Sequence, residues 1–332
     1  MSATAAGVLG GWVADAAFGD PRRGHPVSAF GAAAARAEHA AYRDDRLAGA
    51  VYAAALTAVP AAVTLAAQRR MGAWGRGGLM AAATWAALGG RSLAQEALGL
   101  AELVEAGDLD QARRRLPALV GRDPSGLDGA ELCRAAVESV AENTADAIVG
   151  PLVYGALAGP AGVVAHRCAN TLDAMVGHRS PRYEQFGWAA ARLDDLLGWL
   201  PARLTAALAV ALAPSIGGDP RAALATWLLD GHRHPSPNAG RAEAAFAGAL
   251  DVRLGGENRY AELEGATGAS FPAAGGDQGG AAPVRISHRG PLGDGPASDP
   301  AAVRRAVRLS RAVSAAAAAL CVLAVWGRGR RR

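Results

Sequence analysis

Three acids stand at helical spacing just before a long uncharged run. Glu138, Glu142 and Asp146 occupy positions i, i+4 and i+8, and on one continuous helix they share a face, roughly 6 Å apart at each step. No Arg is interleaved among them, so the carboxylates repel one another. We expect a cation or a cationic partner to compensate them, and this acid ladder is the first candidate site.

Two further polar clusters follow that uncharged run. In residues 167–187, Arg167 and Asn170 share a helix face with Asp173 or Ala174, and an amide with a carboxylate could bind a divalent ion. In residues 191–203, Asp194 and Asp195 are adjacent and point about 100° apart on a helix. One of them is expected to face the site, and the other to bond Arg192 or solvent. Each cluster alone is also typical of an ordinary solvated helix end.

Turn motifs supply two more candidates. His25 lies in GDP-x3-HPV, where a simple turn and a helix N-cap would explain Asp20 and both prolines. Ser236, Pro237 and Asn238 precede a helix expected from about Gly240, with Arg241 near its start. The exposed amides of such a start, with an arginine, could bind a phosphate, although a well-capped amphipathic helix explains the same residues.

The setting of these clusters is apolar. The chain of 332 residues is 51% hydrophobic and 19% charged, and no charge interrupts residues 47–68 or 147–165, each long enough to cross a bilayer core of about 30 Å. Shorter uncharged stretches occupy residues 77–90, 204–218 and 312–327. Ala-rich helical patterns predict an all-α, multi-pass integral membrane protein with about four to six membrane helices and polar loops. An Ala-rich soluble helical protein is the alternative.

We expect one membrane-embedded domain over residues 1–332, with a flexible Gly/Pro-rich loop at residues 268–300. The N-terminus lacks the marks of a signal peptide and is expected to be retained. The final cluster of Arg favours a cytoplasmic C-terminus.

Composition excludes several functions. All 34 basic residues are Arg, which excludes a Walker A motif and a lysine Schiff base. The net charge of +4 is too small and dispersed for nucleic-acid binding. The three Cys are far apart and show no metal or disulfide spacing, so we expect them to be packing residues.

Six motifs in order resemble one family: GDP-x3-HPV, SVAENTAD, NTLDAMVG, FGWAAARLDDLLGWLPAR, SPNAG and LGGENRY. They resemble the CobD/CbiB family of cobalamin biosynthesis, the adenosylcobinamide-phosphate synthases of the inner (cytoplasmic) cell membrane. The resemblance runs from about Gly10 to Tyr260. Ala147 and Gly150 stand where similar proteins often have Gly and Ala, and Gly198 stands where Asn is common, which puts a polar role there in doubt.

The resemblance implies a ligase that consumes ATP, with Mg²⁺, to join the propionate carboxylate of adenosylcobyric acid, a corrinoid, to 1-amino-2-propanol or its O-phosphate. The activated acid could be an acyl phosphate or an acyl adenylate. The chain would contact membrane lipid and could meet other cobalamin-assembly membrane enzymes.

Residue roles follow from the motifs. The acids expected to orient Mg²⁺ and the nucleotide are Glu142, Asp146, Asp173 and Asp194, with the first three as metal ligands. The residues expected to bind substrate or phosphate are His25, Asn143, Arg167, Asn170, Arg179, Arg192, Asn238, Arg241 and Asn258.

Other functions remain open at this point. A Mg²⁺-dependent prenyl or alcohol-phosphate transferase of the membrane also binds diphosphate with Asp and Asn, but usually repeats its acidic motif. A non-enzymatic membrane sensor or scaffold of the AmpE type would use the acids only to line solvated loops. A transporter is a further alternative.

Overall fold

The structure is a computed structural model that describes residues 2–20, 24–178, 180–261 and 284–330. This part of the chain is almost entirely helical, as the sequence predicts. Its helices are α1 (Ala3–Phe18), α2 (Pro26–Ala41), α3 (Arg46–Arg69), α4 (Ala73–Ala87), α5 (Gly90–Glu105), α6 (Leu109–Arg115), α7 (Gly129–Asn143), α8 (Gly150–Leu172), α9 (Trp188–Leu212), α10 (Pro220–Asp230), α11 (Ala239–Leu250) and α12 (Pro300–Arg330).

Four segments among the described residues are long and apolar enough to cross a membrane. They are Arg46–Arg69, Gly129–Gly177, Trp188–Ile216 and Pro300–Arg328. Both long uncharged runs of the sequence lie within them, and the run at residues 77–90 falls mainly in the shorter α4. The prediction of a multi-pass helical membrane protein is confirmed, at the lower end of the expected number of spans.

The second uncharged run is not one straight helix. Gly159 has φ 67° and ψ −158°, a conformation that breaks α8 in the middle. Pro160 follows directly, and its ring cannot donate the hydrogen bond that a continuing helix needs. Glycine ends one helical segment at this point and proline starts the next, which is the usual asymmetry of helix ends.

A β-hairpin occupies part of the predicted Gly/Pro-rich loop. Strands β1 (Leu254–Ala261) and β2 (Val284–Leu292) pair antiparallel, with Leu254 opposite Leu292. The predicted loop at 268–300 is therefore wrong over residues 284–292, while residues 268–283 lie outside the described part of the chain. Val284 and Ile286 alternate with polar residues as in a strand, but the surrounding Gly and Pro hide this short pattern.

The tertiary contacts divide the chain into two compact units. Unit 1 comprises Met1–Arg91, Asp146–Pro201 and Ser314–Arg332. Unit 2 comprises Ser92–Ala145 and Ala202–Val313. The single domain over residues 1–332 stays a prediction.

Close helix contacts in unit 1 depend on glycine. A Cβ on Gly7 of α1 would lie 2.5 Å from the carbonyl oxygen of Gly77 in α4, and a Cβ on Gly11 would lie 2.5 Å from the Cβ of Thr84. Gly49 of α3 meets the backbone of Phe186 even more closely, with 1.8 Å between a built Cβ and that carbonyl oxygen. Because glycine has no side chain, the backbones can approach closely at these positions, as is common between membrane helices.

An aromatic cluster fills the core beside Gly49. The rings of Tyr52 and Phe186 lie 5.0 Å apart, and the hydroxyl of Tyr52 donates to the carbonyl of Ala34. Nearby, the buried carboxylate of Glu38 accepts hydrogen bonds from Arg182 at 3.1 Å and from the Tyr183 hydroxyl at 2.8 Å. The cluster thus combines apolar packing with one fully buried acid that has partners.

Helix α11 forms the centre of unit 2. Eleven of its twelve residues are buried, and Gly248 lies against α10, where a Cβ would stand 2.6 Å from the carbonyl oxygen of Ala222. Its small side chains let it pack inside the unit, and the two polar residues that it buries or partly buries, Arg241 and Glu243, lie on different faces of the helix.

We expect Gly49→Ala to destabilise the protein and Gly78→Ala to leave it as stable or slightly more stable. The new methyl group at position 49 would collide with the Phe186 backbone, at a cost of about 1–3 kcal/mol. A Cβ at Gly78 of α4 meets no atom within 4 Å, and alanine favours a helix over glycine. Thermal unfolding of both purified variants in detergent measures the difference, and a Gly49→Ala protein as stable as the native chain would contradict the close approach.

Candidate functional site

The candidate residues fall into both units. Unit 1 contains His25, Asp146, Arg167, Asn170, Asp173, Arg192 and Asp194, and unit 2 contains Glu142, Asn143, Asn238, Arg241 and Asn258. Arg179 lies outside the described residues, as do the side-chain surroundings of Asn258, whose backbone in β1 pairs with Ser287.

Two widened helical turns hold candidate acids. Residues Thr144–Val149 and Asp173–Gly177 form π-helical turns, the first before α8 and the second after it. A π turn shifts the angular position of the residues that follow it, and such turns are frequent at functional sites. The regular α-helix of Glu138 and Glu142 therefore ends before Asp146, and the ladder stays a prediction at that residue.

Arg167 is the centre of the polar cluster of unit 1. Its Nη1 donates to Oδ1 of Asn170 at 3.3 Å, one helical turn further along α8. The carboxylates of Asp20, Asp146 and Asp194 act on its charge. These acids come from the turn after α1, from the first π turn and from α9, so folding brings together residues far apart in sequence. The expected face shared by Arg167 and Asn170 is confirmed.

The GDP-x3-HPV motif contributes its aspartate to this cluster. The imidazole Nδ1 of His25 accepts a hydrogen bond from the backbone N–H of Val27 and so caps α2, while its Nε2 lies 3.5 Å from Oδ1 of Asp20. Asp20 is one residue that sequence reasoning missed, because a turn explained it fully. The short distance between Asp20 and His25 in the motif was the available signal.

The adjacent acids of α9 separate as expected. Asp195 pairs with Arg192 at 3.4 Å, and the Arg192 side chain is 64% exposed. Asp194 acts instead on Arg167 and on the Tyr154 hydroxyl. Asp194 thus belongs to the Arg167 cluster, whereas Arg192 lies on an exposed face with Asp195.

Asp173 is held in the second π turn against glycine. Its Oδ1 lies only 1.8 Å from the place where a Cβ on Gly177 would stand. A glycine at position 177 is therefore required for the carboxylate to lie there. This contact explains the last residue of the DAMVG sequence, to which the sequence pattern alone assigned no role.

The described residues offer no group of three or more His, Cys, Asp or Glu side chains arranged to hold a metal ion. Mg²⁺ usually takes only one or two protein carboxylates and completes its shell with water and substrate phosphates. The Asp146 and Asp194 carboxylates near Arg167 suit that kind of binding, in which a nucleotide supplies the remaining oxygens. Binding of Mg²⁺ by Glu142, Asp146 and Asp173 stays a prediction.

In unit 2 the first acid of the ladder is fully paired. The buried carboxylate of Glu138 bonds Arg122 through one oxygen and Arg134 through the other, and it also accepts from the backbone N–H of Gly255 at 2.8 Å. Arg134 donates further to the carbonyl oxygens of Gly255 and Glu257. The cationic partner expected for the ladder is therefore arginine at Glu138, and it ties α7 to the hairpin.

Glu142 and Asn143 follow at the end of α7. The charges that act on Glu142 are those of Arg289, Glu138 and Arg122. The amide of Asn143 donates back to the carbonyl and the hydroxyl oxygen of Ser139, at 3.0 and 3.2 Å. Asn143 is thus anchored within its own helix, and Glu142 lies in a network with several arginines.

The start of α11 carries the predicted anion site. Ser236, rather than Asn238, caps it, since its Oγ accepts from the N–H groups of Asn238 and Ala239. The Asn238 side chain instead accepts a hydrogen bond from Arg203 at 3.1 Å. The positive charge of Arg241 acts on Arg203. Two guanidinium groups near a helix start suit an anion such as phosphate.

Helix α11 also carries Glu243 on another face. Its carboxylate lies 3.7 Å from Nε2 of His234 and 3.8 Å from Nη1 of Arg289. Burial, with the nearby carboxylates Glu138 and Glu142, raises the pKa of Glu243 well above its ordinary value. The sequence suggested only a favourable charge near the helix start, so this buried acid was missed.

A cavity of about 310 Å³ lies beside the Glu138 network. Arg122 and Arg134 line it, together with Glu131 and Glu257. Its walls carry both signs of charge, and its volume suits a small polar molecule.

The stability of the protein should fall between about pH 6.5 and 4 partly because of His234. Burial and the Arg289 charge lower the pKa of this histidine to about 4, so the unfolded chain takes up a proton at a higher pH than the folded chain does. The contribution of the neutral His234 to the free energy of unfolding is therefore fully present above the ordinary pKa of 6.5 and is lost as the pH falls toward 4. We expect His234→Gln to make this loss smaller by up to about 3 kcal/mol.

Thermal unfolding in detergent at several pH values measures this difference. The matched control is His39→Gln, which changes an exposed histidine of α2 and should keep the native slope. A His234→Gln protein with the native pH dependence would contradict the buried neutral imidazole.

Comparison with known proteins identifies the family. A family model described as CobD/Cbib protein matches residues 8–275. A protein named cobalamin biosynthesis protein CobD from Mycobacterium tuberculosis is 50% identical over 324 residues, which cover 98% of this chain and 96% of that protein. Proteins of the same name from Rhodobacter capsulatus and Pelobacter propionicus are 45% and 42% identical, covering 73% and 75% of this chain and 77% and 79% of their own lengths. No solved structure matches the chain. The resemblance seen in the motifs is thus confirmed, and the chain belongs to the CobD/Cbib family of cobalamin biosynthesis proteins.

Proposed function

We propose that this membrane protein is an adenosylcobinamide-phosphate synthase, a ligase of the cell membrane. It joins the propionate carboxylate of adenosylcobyric acid to the amine of 1-amino-2-propanol or its O-phosphate and consumes ATP. Family membership over nearly the whole chain supports the pathway. The observation that carries the chemistry is the cluster of Asp20, Asp146 and Asp194 around Arg167.

Amide formation from a carboxylate requires an activating group, because the hydroxide of the acid is a poor leaving group. Attack of the propionate oxygen on the terminal phosphorus of ATP gives an acyl phosphate and ADP. The amine nitrogen then attacks the acyl carbon, the C–O bond to phosphate breaks, and phosphate and a proton leave. Atoms and charge balance as acid, amine and ATP giving amide, ADP and phosphate.

The residues of unit 1 suit the phosphate end of this reaction. Arg167 offers a guanidinium oriented by Asn170, and guanidinium groups bind phosphate oxygens and stabilise the charge that develops during transfer. Asp146 and Asp194 supply the carboxylate oxygens that Mg²⁺ favours. When bound, Mg²⁺ would neutralise phosphate charge and orient the transferred group.

The residues of unit 2 suit the other reactants. The amides and arginines at the start of α11 favour an anion, and the cavity lined by Arg122, Arg134, Glu131 and Glu257 suits a small zwitterion. An aminoalkyl phosphate carries one ammonium and one phosphate, so both kinds of charge find complementary groups in this unit.

We expect Asp194→Asn to reduce ATP-dependent amide formation about 100-fold or more. The carboxamide keeps the size of the side chain but removes the charge beside Arg167, and loss of one such electrostatic group commonly costs this much in rate. Membranes that contain the variant are assayed with adenosylcobyric acid, aminopropanol phosphate, ATP and Mg²⁺.

The adjacent residue provides the control. Asp195→Asn removes the same charge one position away, where it faces the exposed Arg192, and should change the rate less than about threefold, as expected for an exposed pair. Equal losses in the two variants would show that Asp194 has no special position. No product from the native protein, despite verified insertion, would favour the transferase or scaffold alternatives.

The nucleotide products should be ADP and phosphate in a one-to-one ratio with the amide. An acyl phosphate, in which the terminal phosphoryl group is transferred, requires this result. Chromatography of the reaction with radiolabelled ATP measures it, and omission of the amine is the control for uncoupled hydrolysis. Release of AMP and pyrophosphate would contradict the acyl phosphate and establish an acyl adenylate.

A further inference from the structure

Glu243 is a fully buried acid without a hydrogen bond. Its exposed fraction is 0%, and within the described part of the chain neither Oε1 nor Oε2 accepts a hydrogen bond. An unsatisfied buried carboxylate is costly, and native proteins keep such groups where a ligand or a catalytic role explains them.

The surroundings of this carboxylate do not satisfy it. The nearest donors, Nε2 of His234 at 3.7 Å and Nη1 of Arg289 at 3.8 Å, are beyond hydrogen-bond distance. Glu138 and Glu142 lie near enough to act on its charge, and Arg289 and Arg122 partly offset them. Three acids therefore meet here with few donors, which is why the pKa of Glu243 is raised, and a cationic ligand would relieve their repulsion and favour the ionised carboxylate.

His234 cannot serve as the counter-charge. Its Nδ1 accepts a hydrogen bond from the backbone N–H of Ser236 at 3.0 Å, so the neutral ring carries its proton on Nε2. Its backbone is fixed by close packing, since a Cβ on Gly240 would stand 2.3 Å from the Cβ of His234. The ring is held beside Glu243 without bringing a positive charge to it.

From this arrangement we propose that Glu243 binds the ammonium group of the amine substrate. The inference rests on the proposed function and adds to it the residue that recognises the second reactant. A primary ammonium has three N–H donors, which can satisfy both oxygens of Glu243 and one further acceptor such as Glu142.

An ammonium fits this position better than a metal ion does. The described residues contain no group of His, Cys, Asp or Glu side chains arranged for a metal. Arg289 approaches the same carboxylate oxygen as His234, so a ligand that carries both an ammonium and an anionic group finds both signs of charge. The cavity beside this network shares Arg122 with it and gives a small polar ligand a place to approach.

Direct binding tests the proposal without the reaction. The purified full-length protein in detergent is titrated calorimetrically with 1-amino-2-propanol O-phosphate, in the absence of ATP and corrinoid. We expect Glu243→Gln to weaken binding at least tenfold, because a carboxamide keeps the shape but loses the charge that attracts the ammonium. Glu243→Asp, which keeps the charge but shortens the side chain, should weaken it less.

A second ligand and a second variant control for indirect effects. Propanediol phosphate, which lacks the amine, should bind the native protein and Glu243→Gln equally. Glu38→Gln changes an equally buried carboxylate of unit 1 that has partners in Arg182 and Tyr183, and should leave amine affinity unchanged. Thermal unfolding verifies that each variant is folded.

The outcomes separate this inference from the proposed function. Native affinity for the amine in Glu243→Gln, or no binding by the native protein, overturns the inference even where amide formation is observed. Loss of amine binding in Glu243→Gln supports it, and continues to support an amine site if no amide formation is found. If Glu243→Gln weakens the binding of propanediol phosphate as much as the binding of the amine, the inference is overturned, because the effect would then not involve the ammonium.

Discussion

A charged side chain beside long apolar helices is stable only where another charge or a hydrogen-bond donor compensates it, because burial removes the water that otherwise stabilises the charge. Glu138 shows how this protein meets that constraint. Two arginines and a backbone N–H bind its carboxylate, and one of those arginines continues to the hairpin. The ion pairs therefore fix the position of α7 relative to β1 within unit 2, and Glu38 has the same kind of support in unit 1.

Against this background, incompletely satisfied polar groups stand out. Glu243 accepts no hydrogen bond, and Nε of Arg167 has no acceptor within the described residues. A fully paired acid such as Glu138 stabilises the fold, whereas groups that remain available for bonding suit reactants. The two sets differ chemically as well: the unit 1 cluster combines acids with a guanidinium, as phosphate and Mg²⁺ require, while Glu243 offers acceptors to a cation. The proposed ligase, which would join an acid to an amine with ATP, needs both kinds of group.

Backbone irregularities place several of these groups. The π turn at Thr144–Val149 contains Asp146, and in the turn at Asp173–Gly177 the Asp173 carboxylate occupies the space that a Cβ at Gly177 would need. Both turns border α8, whose own break at Gly159 and Pro160 interrupts the second long uncharged run. Such departures from regular helix cost stability and are found mainly where function requires them.

The sequence by itself determined the helical membrane fold and the family, because hydrophobic runs and ordered motifs are local properties of the chain. It also predicted the separation of Asp194 from Asp195 and the contact of Arg167 with Asn170, since both follow from helix geometry. It missed Asp20, Glu243 and strand β2. Tertiary structure alone decided these, because pairing of charges, burial of an acid and pairing of strands join residues distant in sequence, and no local pattern records which partner a side chain will meet.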